Sequence, residues 1–177
     1  ENHTPLYVDV DSARLWNLVH DETVHPILKK PALLELARRR DPNLMDYCEN
    51  LLGSGEYENW LTSISTLVAL GTPEAVDRLI LVYAQSLNDE RKLVLCMVAK
   101  VLTADYVKPF SIMVREVAVP GELDVSGWTK IAISTLRDVC KRFGVEVHGV
   151  YIGSDEDMST VSPDSPNLDK ITTLPDK

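Results

Sequence analysis

Thr72-Pro73-Glu74-Ala75-Val76 is the stretch whose reading decides the fold, because it recurs. Thirty-one residues earlier the chain reads Asp41-Pro42-Asn43-Leu44-Met45, and thirty-one later it reads Thr103-Ala104-Asp105-Tyr106-Val107. Apolar positions keep the same offset. Leu36, Leu67 and Val98 form one set, and Cys48, Leu79 and Phe110 form another. A fixed period of this length, with helical spacing inside it, marks stacked helical hairpins. Each hairpin carries an apolar face that it cannot bury alone, so the copies must stack.

Outward from this register, punctuation sets the elements. Asp41-Pro42 and Thr72-Pro73 each close one helix and open the next: the first residue caps free amides, and proline lacks the donor that would be orphaned. Helices are expected over about 42–52, 56–70, 73–87, 89–103 and 105–117, with Gly53-Ser54-Gly55 and Leu87-Asn88-Asp89 as breaks. Asp11 or Ser12 caps a first helix through Leu15, Trp16, Leu18 and Val19. Pro26 and Pro31 argue against one regular helix through both, so a second helix is expected over 31–40, after a turn at Pro26. Ser126 caps a last helix through Trp128 to Phe143, and Gly144 follows where a left-handed cap is wanted. Residues 1–10 read as an irregular arm anchored by Leu6-Tyr7-Val8.

Past Gly144 the period changes. Val145 to Ile152 partly alternates and reads as a short strand. A lone strand is unstable, so it pairs with the arm, joins a second copy in a homo-oligomer, or stays unpaired. From Ser154 onward the sequence is acidic and rich in Ser, Pro and Thr, and a disordered tail is expected. The division is thus 1–144 for the helical domain and 145–177 for strand and tail.

Leu67-Val68-Ala69-Leu70-Gly71-Thr72-Pro73-Glu74-Ala75-Val76-Asp77-Arg78-Leu79-Ile80 resembles a HEAT-like (armadillo-type) helical repeat. There, an apolar helix ends in Leu-Gly, a Pro-containing turn follows, and the next helix opens with Glu-Ala-Val. Asp89-Glu90-Arg91 is similar to the start of the family's inner helix, whereas Leu102-Thr103-Ala104 departs by lacking the Gly and Pro. The resemblance covers about 26–118, with a weaker match at 126–143. It implies an all-α, right-handed α-α superhelix (a solenoid) of about four helical pairs. It also implies that the second helix of each pair lines a concave side: about 31–40, 56–70, 89–103 and 127–142. The register aligns Glu35, Thr66 and Met97 there, and Arg38, Ala69 and Lys100 beside them. With Arg39, Asn59 and Ser63, these form the candidate binding stripe: Glu35, Arg38, Arg39, Asn59, Ser63, Thr66, Met97 and Lys100.

Composition bounds the chemistry. The chain has 177 residues, 45% hydrophobic and 25% charged, which suits one domain with an adequate core. No run approaches the ~18 apolar residues of a membrane span, and no membrane partner is expected. No basic stretch followed by an apolar block marks the first twenty residues, so a cytoplasmic protein is expected. Cys48, Cys96 and Cys140 are odd in number and widely spaced, and read as buried core thiols in a reducing compartment. The net charge is −9. Residues 145–177 contribute seven acids and two lysines, or −5, and residues 1–144 contribute −4. That disfavours nucleic acid, which needs clustered Lys and Arg, and is compatible with a basic protein partner.

No catalytic residue, metal site or cofactor is expected. His20 and His25 lack the four-residue zincin spacing. There is no Gly-x-Ser-x-Gly and no Gly-rich phosphate loop, and the tail acids Asp155-Glu156-Asp157 lack a calcium-loop pattern. Lys29-Lys30 and Arg38-Arg39-Arg40 form the notable basic cluster, with helix-end stabilisation as its simplest role. Trp16, Trp60 and Trp128 fall on apolar faces and suit core packing. The expectation is a non-enzymatic protein-binding module, an adaptor or a small bacterial immunity-type protein. The alternative is an enzyme resembling HEAT-like bilin lyases or alkylpurine DNA glycosylases.

Overall fold

A computed structural model of the chain describes residues 6–117 and 128–145. All regular structure among the described residues is helical: α1 (Ser12–His20), α2 (Pro26–Arg38), α3 (Leu44–Gly53), α4 (Tyr57–Leu70), α5 (Pro73–Gln85), α6 (Asn88–Ala99), α7 (Val107–Val117) and α8 (Trp128–Phe143). A 3-10 turn at Ala104–Tyr106 leads into α7. The expected strand beyond Val145, the acidic tail and the side chain of Trp128 lie outside the described residues. The chain divides into two compact units, Glu1–Leu79 and Ile80–Lys177, with α5 running across the division.

In the first unit α1 packs on α2, α3 on α4, and the two second helices, α2 and α4, meet. In the second unit α7 packs on α8, and α6 touches both. The thirty-one-residue register marks the buried positions: Leu36, Leu67 and Val98 are inaccessible to solvent, as are Leu79 and Phe110, and Cys48 nearly so. Burying one such leucine contributes about 1.5–3 kcal/mol.

The turn chemistry works as the sequence indicates at α4 and α5. Gly71 adopts φ 59°, and its N–H closes α4 on the Leu67 carbonyl. Thr72 Oγ1 then accepts from the Ala75 amide at 3.3 Å, with Pro73 opening α5. Gly144, at φ 61°, ends α8, and the Val145 N–H reaches back to the Cys140 carbonyl at 2.9 Å.

Elsewhere the structure differs from the sequence reading. Helix α2 begins at Pro26 and runs through Pro31 without a break. Pro26 occupies the first position, where no donor is needed, and Pro31 sits close enough to that end to forfeit only one intrahelical bond. His25 caps the helix by accepting the Ile27 amide on Nδ1 at 3.2 Å. Helix α3 starts at Leu44, two residues later than expected. Asp41 spends its carboxylate on the Asn43 amide at 3.0 Å, which makes a turn ahead of the helix. Helix α6 stops at Ala99, so Lys100 is its cap rather than a helical residue. The arm is a turn in which Leu6 is exposed; apolar anchoring there is replaced by backbone hydrogen bonds described below. Of the three thiols only Cys48 is fully in the core, where burial pushes it up to about 11; Cys96 and Cys140 are half-buried.

Candidate binding groove

The register explains where the candidate stripe goes. Glu35 and Thr66 point inward and Met97 is half-buried, whereas Arg38, Ala69 and Lys100, three residues on, are exposed. Three residues rotate a helix face by about 60°, enough to carry a side chain from core to solvent. The structure brings Glu35, Arg38 and Arg39 together. Asn59, Ser63 and Thr66 share α4, while Met97 and Lys100 belong to the second unit.

Glu35 is only 3% exposed. Its carboxylate accepts from Arg38 Nε at 2.9 Å and Nη2 at 2.7 Å, and from Arg39 Nε at 2.8 Å. The Arg38 guanidinium holds the carboxyl down to about 2, against the effect of burial, with Arg39 adding to the shift. Spacings of three and four residues on one helix put both arginines over the acid. Arg39 has donors left, and these clasp the arm: Nη2 reaches the Tyr7 carbonyl at 3.2 Å and the Val8 carbonyl at 3.1 Å, and Nη1 reaches Ser12 Oγ at 3.2 Å. Glu35 and Arg39 therefore form an internal tie. Their expected place on an open binding face is corrected here, because their charges and donors are committed within the chain.

Ser63 is corrected in the same way. It is fully buried, and its hydroxyl donates to the Cys48 carbonyl on α3 at 2.9 Å. A buried hydroxyl without such a partner is costly, so Ser63 serves the α3–α4 contact.

Between α2 and α4 the first unit opens a groove of about 530 Å³. Tyr47 and Leu51 of α3 form its floor with Leu33 of α2. The α2 wall is apolar and basic: Ile27, 70% exposed, and Leu34, 42% exposed, stand beside Lys29 and Lys30. Leu34 faces this groove because the faces of α2 that touch α1 and α4 are already taken by Ala32, Leu33, Leu36 and Ala37. The α4 wall is polar, with Glu58, Asn59, Thr62 and Thr66 around Leu61. The protons of Thr62 and Thr66, two of the three hydroxyls lining it, are used internally. Thr62 donates to the Glu58 carbonyl at 2.8 Å, and Thr66 to the Thr62 carbonyl at 2.7 Å. The Asn59 amide likewise donates to Ser54 Oγ at 3.1 Å and Glu56 Oε2 at 3.2 Å. What the wall offers a visitor is mainly acceptor oxygen, with the Ser65 hydroxyl as a donor.

Sequence reasoning named Asn59 and Thr66 but missed the α2 wall. The visible signal was Ile27 and Leu34, two turns apart on one face, flanking Lys30.

A second, shallower recess of about 280 Å³ lies over α1 and α3. Trp16 stacks on His20 with ring centroids 5.5 Å apart, and both meet Tyr47 edge-on at 5.3 and 5.7 Å. Trp16 is half-buried, and Trp60 stacks on exposed Tyr57 at 5.7 Å, so neither is the fully buried core residue that its apolar face suggested. His20 stacks and His25 caps, and among the described residues no cluster of three metal-ligating side chains occurs. Nor, among them, is any helix long and apolar enough to cross a membrane.

No protein-family model matches the chain, and neither curated proteins nor solved structures match it.

Proposed function

We propose that this chain is a protein-binding helical-repeat module that recognises its partner on the face shared by α2 and α4. The observation that carries the reading is the groove itself: an apolar floor, two large exposed apolar side chains on one rim, and charged residues of opposite sign on the two sides. Exposed apolar side chains grouped over a cleft and edged by charge are the usual make-up of a protein contact. The finer architecture belongs to the same proposal: a right-handed, HEAT-like superhelix whose second helices line the concave side. The thirty-one-residue register and the α2–α4 contact support it. Arg38 and Lys100, both exposed, and half-buried Met97 are the remaining candidate contacts outside the groove, and the net negative charge favours a partner with basic surface.

The test is site-specific crosslinking. A photoreactive side chain at Leu34 should capture the partner in extract from the native host, and one at exposed Ala13 on α1 should not. Leu34→Glu, at an exposed site, should leave the helical circular dichroism intact and reduce capture at least tenfold. Undiminished capture by the folded Leu34→Glu and Ile27→Glu proteins would end this reading.

A further inference from the structure

Resting on the groove as the binding face, we infer that its occupant is an amphipathic α-helix with an acidic flank and a basic flank, and that those flanks set the direction in which it lies. Backbone chemistry selects the helix. The groove is walled by helices whose own backbone groups are paired except where Pro31 withholds one donor, so it has no strand edge to which an extended segment could add. An extended segment brings unpaired N–H and C=O groups, and each left dry is costly. On the α4 wall, Thr62, Thr66 and the Asn59 amide have directed their protons elsewhere, so carbonyls of an extended visitor find few donors there. A helix arrives with its backbone already satisfied and needs only side-chain complementarity.

The dimensions agree. Helix α2 has 13 residues and α4 has 14, which at 1.5 Å per residue gives walls of about 20 Å, three to four turns of an occupant. Apolar anchors at i, i+3 or i+4, and i+7 would meet Leu33, Leu51 and Leu61, with Ile27 and Leu34 closing over them.

Charge then orders the two sides. The α2 wall presents Lys29 and Lys30; Lys30 is exposed, and Lys29 is half-buried in the field of Asp21. They call for Asp or Glu on the near flank of the occupant. The α4 wall presents the exposed Glu58 carboxylate and the half-buried Thr62 oxygen, with Thr66 buried beneath them, and calls for Lys or Arg on the far flank. Turning a helix end for end in a groove exchanges its flanks. A peptide with its flanks swapped should therefore still bind, but in the opposite direction.

Synthetic, staple-constrained 14-residue helices test this. All carry the same leucine stripe. One has Glu on the left flank and Lys on the right, a second has them exchanged, a third has Glu on both flanks and a fourth Lys on both. Binding is read from methyl chemical shifts of Ile27, Leu34 and Leu61 in the intact chain. Direction is read from the broadening of the Ile27 methyl by a nitroxide at the peptide N-terminus. The first two peptides should bind alike and in opposite directions, with roughly three- to tenfold tighter affinity than the other two, the range that two or three solvent-facing charge pairs produce. Lys30→Glu should erase the preference. Equal affinity for all four peptides, with the groove methyls shifting, would overturn the charge rule. No methyl shift with any peptide would overturn the helix. Either failure leaves the crosslinking result at Leu34 to decide separately whether the groove binds protein. A crosslinked partner segment that is extended would overturn this inference while sustaining the binding face.

Discussion

The two units share a repeat register but are tied in different ways. In the first, ionic ties stand beside the neutral Ser63 bond. Glu35 joins two arginines and through Arg39 the arm, and Arg78 pairs with Glu49 across two helices, one of its contacts at 3.0 Å. In the second, the central tie is a phenol. The Tyr83 hydroxyl lies 2.9 Å from the Met113 carbonyl and 2.9 Å from the Glu116 carboxylate, and Arg91 rests over its ring at 5.0 Å. Burial, and next the neighbouring carboxylate, push the Tyr83 hydroxyl up, so it stays a proton donor throughout the ordinary pH range. Arg142 adds a bond to the Ala99 carbonyl at 3.0 Å. The contrast teaches that a repeat specifies which residues are buried, while the polar fastenings are free to differ from copy to copy. Acid should therefore loosen the first unit before the second.

The largest effect should come from the shared register. The position held by Cys48, Leu79 and Phe110 grows in size along the chain, and all three are buried. Phe110→Ala should cost about 3–5 kcal/mol and Leu67→Ala about 2–5 kcal/mol in a denaturant titration. Cys48→Ala should cost much less, because little volume is lost. Comparable small values for all three would break the claim that both units use one register.

Next come the two ties. Glu35→Ala leaves two cations without their counter-ion. The cost should be about 1–3 kcal/mol, below the loss for a fully buried pair, because the Arg38 side chain is 58% exposed and can rehydrate. Since the Glu35 carboxyl is lowered from 4.5 to about 2, its contribution is complete above the unfolded value and is lost as pH falls through the folded one. The wild type should thus lose stability between about pH 4.5 and 2 in a way that Glu35→Gln does not. Tyr83→Phe should cost about 0.5–1.5 kcal/mol, with a smaller loss in acid, because the Met113 carbonyl accepts at any pH. Equal acid sensitivity in both variants would remove the distinction between the units.

The smallest effect concerns helix ends. Helix α2 closes as α8 does: the Asp41 N–H bonds the Leu36 carbonyl at 3.0 Å, and the Arg40 N–H bonds the Ala37 carbonyl at 2.9 Å. In α8 the left-handed residue is Gly144, whereas in α2 it is Arg40, at φ 54°. Arg40→Gly should raise stability by up to about 1 kcal/mol, and Gly144→Ala should lower it by a similar amount. A destabilised Arg40→Gly would mean that the Arg40 side chain makes a contribution of its own.

These comparisons also locate what the sequence could convey. Leu36, Leu67, Val98, Leu79 and Phe110 were legible because burial follows a period, and a period survives without coordinates. Pro73 and Gly71 were legible because their chemistry is local. Helix α2 runs through Pro31 against the general rule for proline, because near the helix start the missing donor costs a single hydrogen bond. The inward turn of Glu35 was in principle legible, since Arg38 and Arg39 lie three and four residues on. Ser63 was not, because its partner carbonyl belongs to another helix. The α2 wall escaped for a similar reason: which side of an apolar helix stays uncovered depends on how its neighbours are rotated, and that information is spread over the whole unit.

The Arg39 clasp carries a kinetic consequence. Its acceptors on the arm lie thirty-one and thirty-two residues away in the chain, whereas its bond to Glu35 spans only four. The short-range contact costs little entropy to close and can form as α2 winds, but the arm must close a long loop to reach the same guanidinium. The clasp is thus assembled in order, with Glu35 first fixing the fork that later receives Tyr7 and Val8. Within the clasp the arm seats second, on an anchor that stands whether or not the arm is there.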